Sequence, residues 1–243
     1  MRGHCFAVAS GKGGVGKTTT VVNTACELTA RGYDVVVVDV DLAMTNLGRM
    51  VGVDHEPTLH DVLAGRATLE AAINTDGKVA VLPGSDAIDS LRDADPAGLG
   101  QVIKRLRTAF EIVIVDTGAG VDHEAMVACG LADDTVLVTT PDETAVTDTG
   151  KSRSMVETVD GHVLGVVVTR GDAAAVSAAT RTLGVDRLGA VPDAPEVVGD
   201  EPVVTTAPKS AVAAAYSDIA ETLASAVEAS VDAAGEKRAV GDD

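Results

Sequence analysis

Short β-branched apolar runs recur along the chain, each bounded by Gly, Asp or Pro: Cys5 to Ala9, Val35 to Val38, Val79 to Leu82, Ile112 to Val115, Thr135 to Val138 and Val163 to Val168. Continuous apolar runs of this length read as strands buried on both faces, the habit of a parallel sheet. Between them the stretches Lys17 to Ala30, Thr58 to Ala64, Ala97 to Ala109, His123 to Cys129 and Glu143 to Val159 read as helices. Strand and helix therefore alternate, which predicts a single doubly wound, mostly parallel β-sheet flanked by helices, an α/β fold. From Ser210 to Val231 the larger residues Val212, Tyr216, Ile219, Leu223, Val227 and Val231 recur at steps of three and four. That spacing draws one apolar stripe on a helix that docks on the sheet. Residues 232–243 are polar and carry Gly and Asp, so the expectation is one domain over 1–231 and a flexible tail over 232–243.

Composition supports this picture. Of 243 residues 46% are hydrophobic but only 2% aromatic, with no Trp, so Val, Ala, Leu and Ile must fill the core. The formal net charge of -18, from 37 acidic against 19 basic residues, looks like that of a protein from a salt-loving organism, a solvated acidic surface kept soluble at high salt; the alternative is an acidic face that recognises a basic partner. It disfavours DNA or an anionic membrane unless a basic patch exists. The longest basic cluster is Lys104-Arg105-Leu106-Arg107, read as the wet face of a helix. Cys5, Cys26 and Cys129 are far apart and lack metal or disulfide spacing, so they read as buried thiols in a reducing cytoplasm. No leader pattern and no run of about 18 apolar residues occurs, so a soluble, cytoplasmic protein is expected.

The candidate chemistry begins directly after the first strand. Gly11-Lys12-Gly13-Gly14-Val15-Gly16-Lys17-Thr18 matches the phosphate-loop pattern G-x-x-x-x-G-K-[ST] and opens the first helix. Its glycines let backbone N–H groups converge on phosphates, the helix N-terminus adds partial positive charge, Lys17 reaches the outer phosphates, and Thr18 offers a hydroxyl to Mg2+. The same stretch contains Gly11-x-Gly13-x-x-Gly16, and Asp39 lies at a distance suited to holding a ribose, as in a dinucleotide site. Lys17-Thr18 and a second acidic strand end at Asp116 favour the triphosphate loop, because a dinucleotide fold has no Mg2+ to coordinate. Asp116, before Thr117-Gly118-Ala119-Gly120, is placed to hold Mg2+ through water ahead of a glycine-rich switch. Asp39 and Asp41, two residues apart at the end of the second strand, bring two carboxylates toward the same region. Asp41 is read as orienting the attacking water and Asp39 as supporting Mg2+ or its water shell.

The segment from Ser10 to Thr19 resembles the deviant Walker A loop of the MinD/ParA family, and the resemblance covers nearly the whole chain. Its specific element is Lys12, which in that family reaches across a nucleotide-sandwiched dimer to the partner's phosphates. Within the family the order Asp39-Val40-Asp41-Leu42, Asn46-Leu47-Gly48, Leu82-Pro83-Gly84, Asp116 to Gly120 and Thr139-Thr140-Pro141-Asp142 is most similar to the MinD branch. The resemblance implies a P-loop NTPase fold, ATP and Mg2+ as cofactors, Lys12, Lys17 and Asp41 in catalysis, and Thr18 with Asp116 at the metal. It further implies Thr19 at the α-phosphate and adenine near Arg170, Pro192 and Asp193. The implied function is a slow ATPase acting as a spatial regulator, an ATP-dependent homodimer reset by a protein activator or cargo adaptor; the implied source is a halophilic archaeon. Gly118 stands where the family commonly has Pro, which predicts a more mobile switch; the Asn common near Thr169-Arg170 is missing; and Asp142 replaces a Glu that often meets the partner's ribose. The end of the chain, with Lys237-Arg238 alone, offers no basic amphipathic membrane helix, so recruitment to a pole or membrane would pass through a partner. The competing functions are a ParA-type DNA partition ATPase, an iron–sulfur carrier of the nitrogenase-iron-protein type using Cys129, and a nonhydrolysing scaffold.

Overall fold

A computed structural model describes residues 2–197, 199 and 201–239, the last six as backbone only. Seven strands, β1 (His4–Ser10), β2 (Val35–Asp39), β3 (Ala80–Leu82), β4 (Ile112–Ala119), β5 (Asp134–Thr139), β6 (Val163–Thr169) and β7 (Arg187–Val191), form one sheet in the order β3-β2-β4-β1-β5-β6-β7. Every pairing in it is parallel. The helices are α1 (Lys17–Ala30), α2 (Leu47–Val51), α3 (Leu59–Leu63), α4 (Leu69–Ala72), α5 (Ile88–Asp93), α6 (Leu99–Ala109), α7 (His123–Leu131), α8 (Glu143–Thr158), α9 (Ala173–Leu183), α10 (Val203–Thr206) and α11 (Ala211–Ala239).

The sheet is buried on both faces. In β1, Cys5, Ala7 and Ala9 enter a core closed by α6, α7, α8 and α9. Phe6 and Val8 point the other way, into a core closed by α1 and α11. This is why the strands read as unbroken apolar runs. β1 lies between β4 and β5: the chain leaves β1 for β2 on one side and later crosses from β4 to β5 on the other, and this reversal opens a crevice at the C-terminal end of β1. The loop from Gly11 to Gly16 sits at that crevice.

Besides the short helices α2, α4, α5 and α10, four features differ from the sequence reading. β4 does not stop at Val115 but continues through Thr117-Gly118-Ala119, because β1 supplies it with a partner as far as Ser10 opposite Ala119. α9 and β7 close the fold on one side; they are built from Ala-Ala-Ala-Val-Ser-Ala-Ala and Arg-Leu-Gly-Ala-Val, whose small residues give little apolar signal. α11 runs to Ala239 rather than ending near Val231, since 232–239 contains Ala, Glu, Lys and Arg and no Pro to stop it. The four residues 240–243 of the expected tail lie outside the described residues.

Arg107 is the fourth correction: it is buried, not on a wet face. It follows Ile103 by four positions and so shares the inward side of α6. Its guanidinium donates to Gly3 O at 3.0 Å and Leu131 O at 2.6 Å and is paired with Asp133. Arg105 stays outside and pairs with Glu70.

Candidate functional site

The phosphate loop is shaped by two close approaches. At Gly11 an added Cβ would overlap the backbone of Asp148 and Thr149, so the loop lies flush on α8. Gly16 has φ 89°, a left-handed conformation natural to glycine, and it forms the N-cap of α1. No side chain caps α1, which leaves its first N–H groups for a ligand. Val15 anchors the loop from within: its side chain is buried and its carbonyl accepts from Thr169 Oγ1 at 2.5 Å. The loop lines a cavity of about 610 Å3 with Gly13, Gly14, Lys17, Thr18 and Thr19 on its wall.

The two loop lysines point in opposite senses. The Lys17 ammonium is turned inward, 3.0 Å from Asp116 Oδ1 and donating also to the Thr117 carbonyl. The Lys12 side chain is 51% exposed and turned toward the start of α8, 3.5 Å from Thr144 Oγ1 and 3.9 Å from Asp142 Oδ1.

Asp116 is buried within β4, in register with Val8 of β1 and Asp39 of β2. Asp39 is buried too, and its surroundings differ from the expected metal-supporting role. Its Oδ1 accepts from Asp41 N at 3.2 Å, and its Oδ2 accepts from Asn46 N and Leu47 N, both at 3.0 Å. The carboxyl thus ties the loop after β2 and the start of α2 to the strand. Burial, then the charge of Asp116, pushes Asp39 up to about 7, and the three amide bonds only partly offset this. Asp41 is the member of the pair that lines the cavity. Its Oδ1 accepts from Met44 N at 3.0 Å; burial raises its pKa while Met44 N and Lys17 pull it down. Gly118 makes room beside it: a Cβ there would overlap Asp122 Oδ2 and lie 3.7 Å from Asp41 Cγ.

On the expected base side, Arg170 is in a left-handed conformation, φ 52°, and its guanidinium donates to the Gly14 carbonyl. It walls a cavity of about 510 Å3 shared with Lys12 and Asp142. Pro192 and Asp193 line a separate hollow of about 420 Å3 with Arg170 and Pro141, and do not line the cavity of the phosphate loop. That cavity is completed by Asn46, Arg49 and Met50 on one wall and Gly199 and Glu201 on another, to which the sequence reading gave no role. Two of these carry a signal visible only in three dimensions: Asn46 Oδ1 and Glu201 Oε1 are buried acceptors without a hydrogen-bond partner.

A parallel sheet with a glycine loop and an uncapped helix at its switch point, an inward lysine and strand-borne carboxylates defines a P-loop nucleotide-binding protein. Comparison with known proteins narrows the class. Residues 3–162 match the family model described as an AAA domain. The chain is 35% identical to the uncharacterized ATP-binding protein MJ0547 of Methanocaldococcus jannaschii, over 90% of this chain and 86% of that one. It superposes on the cell division ATPase MinD of Pyrococcus furiosus with a TM-score of 0.85 and 36% identity, covering 92% of this chain and 99% of that one. For the septum site-determining protein MinD of Pyrococcus horikoshii, complexed with Mg-ADP, the TM-score is 0.84 at 35% identity, covering 90% and 95%. The chain belongs to the MinD/ParA family of P-loop ATPases.

Proposed function

We propose that this protein is a slow Mg-dependent ATPase working as a spatial switch. ATP draws two copies into a dimer, and the dimer positions a cellular structure such as a division site, a polar array or motility machinery. Hydrolysis, accelerated by a protein activator, resets it. The observation that carries this reading is the opposite disposition of the two loop lysines. Lys17 is committed to the interior of its own cavity, whereas Lys12 is half exposed at the rim and held only by long contacts to Thr144 and Asp142. An ammonium so placed is available to a phosphate presented by a second copy. Because nucleotide would then bind the dimer better than the monomer, ATP shifts the population toward the dimer.

The residues present fit ATP with Mg2+. The start of α1 has no side-chain cap, Thr18 faces the cavity, and the unpartnered Asn46 Oδ1 supplies an acceptor there. Support comes also from the Pyrococcus horikoshii relative, whose structure contains Mg-ADP. When bound, Mg2+ neutralises charge on the outer phosphates. Thr18 and, through water, Asp116 are the residues to hold it, and Thr19 meets the α-phosphate. Lys17 stabilises charge on the outer phosphates, and Asp41 orients the attacking water from its position on the wall.

The competing readings fit less well. Within the longest basic cluster Arg107 is buried and Arg105 is paired, which removes much of a DNA-binding stripe. Cys129 is fully buried with its thiol pushed up to about 11 by burial, a poor site for a shared metal cluster. Among the described residues no helix is long and apolar enough to cross a membrane; on this reading a surface would be reached through a partner.

The test is the mass in solution with ATP and Mg2+. An Asp41→Ala variant is expected to accumulate as a dimer, and the double variant with Lys12→Ala to remain monomeric. Asp41→Ala protein that stays monomeric at micromolar concentration would sink the dimer switch. In parallel, ATP turnover should vanish in Lys17→Ala; turnover equal to wild type would leave a nonhydrolysing scaffold as the better reading.

A further inference from the structure

The wall of the nucleotide cavity formed by Glu201 is built with more care than a lining residue needs. Glu201 Oε2 accepts from Asn23 Nδ2 at 2.7 Å and from Val203 N at 3.1 Å. Asn23 is fully buried on α1 and is fixed in its turn: its Nδ2 donates to Thr19 O at 2.8 Å and its Oδ1 accepts from Val204 N at 3.0 Å. One oxygen of the carboxylate is therefore locked from two sides. The other, Oε1, is buried and has no partner. An unpaired carboxylate oxygen out of water is costly unless something donates to it.

The position restricts what that donor is. Lys17 directs its ammonium toward Asp116 and Thr117 of β4, which marks the end of the cavity for the outer phosphates. Glu201 is joined through Asn23, one turn further along α1, to Thr19, the residue read above at the α-phosphate. A carboxylate repels phosphate oxygens and has no proton to offer them, so the group it meets must carry an O–H or N–H. Next after the α-phosphate in a nucleotide come the hydroxyls of the sugar.

Resting on the nucleotide-site reading above, we propose that Glu201 is a specificity-determining residue that accepts a hydrogen bond from a ribose hydroxyl of the bound nucleotide, held in place for this by Asn23. The site thereby selects ribonucleotides over deoxyribonucleotides within one copy of the chain, without a contribution from a second. Asn23 is a positioning residue, acting through Glu201 and the Thr19 carbonyl.

The experiment is calorimetric titration of the full chain with ADP, 2′-deoxyADP and 3′-deoxyADP in the presence of Mg2+, so that neither turnover nor ATP-driven dimerisation intervenes. Wild type should bind one deoxy analogue about tenfold or more weakly than ADP, as expected for a lost bond to a charged acceptor. In Glu201→Gln, whose amide oxygen retains the bonds from Asn23 and Val203, the gap between ADP and that analogue should shrink to about twofold. Equal binding of all three by wild type overturns the inference, and so does an unchanged gap in Glu201→Gln. If the analogues bind alike but removal of the 6-amino group, tested with purine riboside diphosphate, weakens wild type alone, Glu201 reads the base and the sugar assignment is wrong. Should Glu201→Gln fail to fold, the wild-type series still decides. Failure of the nucleotide reading itself looks different: ADP would not bind wild type at all.

Discussion

Gly11 has no space for a side chain, whereas Gly13, two residues on in the same loop, would hold a Cβ with nothing within 4 Å. The sequence gives both the same letter. The structure separates them: Gly11 must let the loop lie on the backbone of α8, and Gly13 borders the open cavity. Gly11→Ala should cost about 1–3 kcal/mol through overpacking against an unyielding backbone. Gly13→Ala should stay within about 0.5 kcal/mol. Urea unfolding of the two variants checks this, and equal losses would mean the contact with α8 is not what fixes Gly11. The same contrast separates the two carboxylates after β2. Their spacing announced a pair, but which one faces the ligand depends on the path of residues 40–47, and it is Asp41 that lines the cavity while Asp39 holds that path in place.

At the scale of elements, a small polar junction at the end of the sheet away from the nucleotide fastens four pieces together. Asp134, the first residue of β5, receives His4 Nε2 of β1 at 2.8 Å and His162 Nδ1, just before β6, at 2.5 Å. The other ring nitrogen of His4 lies 3.1 Å from Ser230 Oγ of α11. Burial alone would raise the Asp134 pKa, but the bonds and charges of the two histidines outweigh it and the pKa falls below the usual 3.8. A lowered carboxylate pKa adds stability that is present above the unfolded value and lost as pH drops through the folded one. Wild type should therefore exceed Asp134→Asn in stability at pH 6, and the two should converge below pH 3.8, the difference being followed by chemical unfolding across that range. A gap that does not narrow in acid would remove the junction from the account of pH stability. This junction was illegible in the sequence, where His4, Asp134 and His162 stand far apart. α1 was legible at both ends, since the phosphate loop starts it and Gly32 follows its end. α9 and β7 were not, because Ala- and Gly-rich segments take their structure from what they pack against: a Cβ on Gly189 would lie 2.6 Å from Ile219 Cγ1 of α11.

For the whole molecule the governing quantity is the formal charge of -18. Described ion pairs such as Arg66 with Asp61 and Asp93 draw on a small stock of 19 basic residues, which the 37 acidic ones outnumber about two to one. Their mutual repulsion acts against the compact state and, more strongly, against bringing two copies together. Salt shortens the reach of that repulsion from about 10 Å at 0.1 M to about 3 Å at 1 M. The thermal midpoint should therefore rise with KCl, each kcal/mol of relieved repulsion being worth about 2–4 °C in a chain of this size. ATP-driven dimerisation of Asp41→Ala should tighten over the same range, measured by sedimentation at 0.1, 0.5 and 2 M KCl. The sign of that dependence separates the candidate roles. Association with DNA or an anionic surface releases counterions and weakens steeply with salt, whereas two acidic copies closing on a shared nucleotide are helped by it. A dimer that loosens as KCl rises would mean that attraction between opposite charges, rather than burial of the nucleotide between like-charged copies, holds the assembly together.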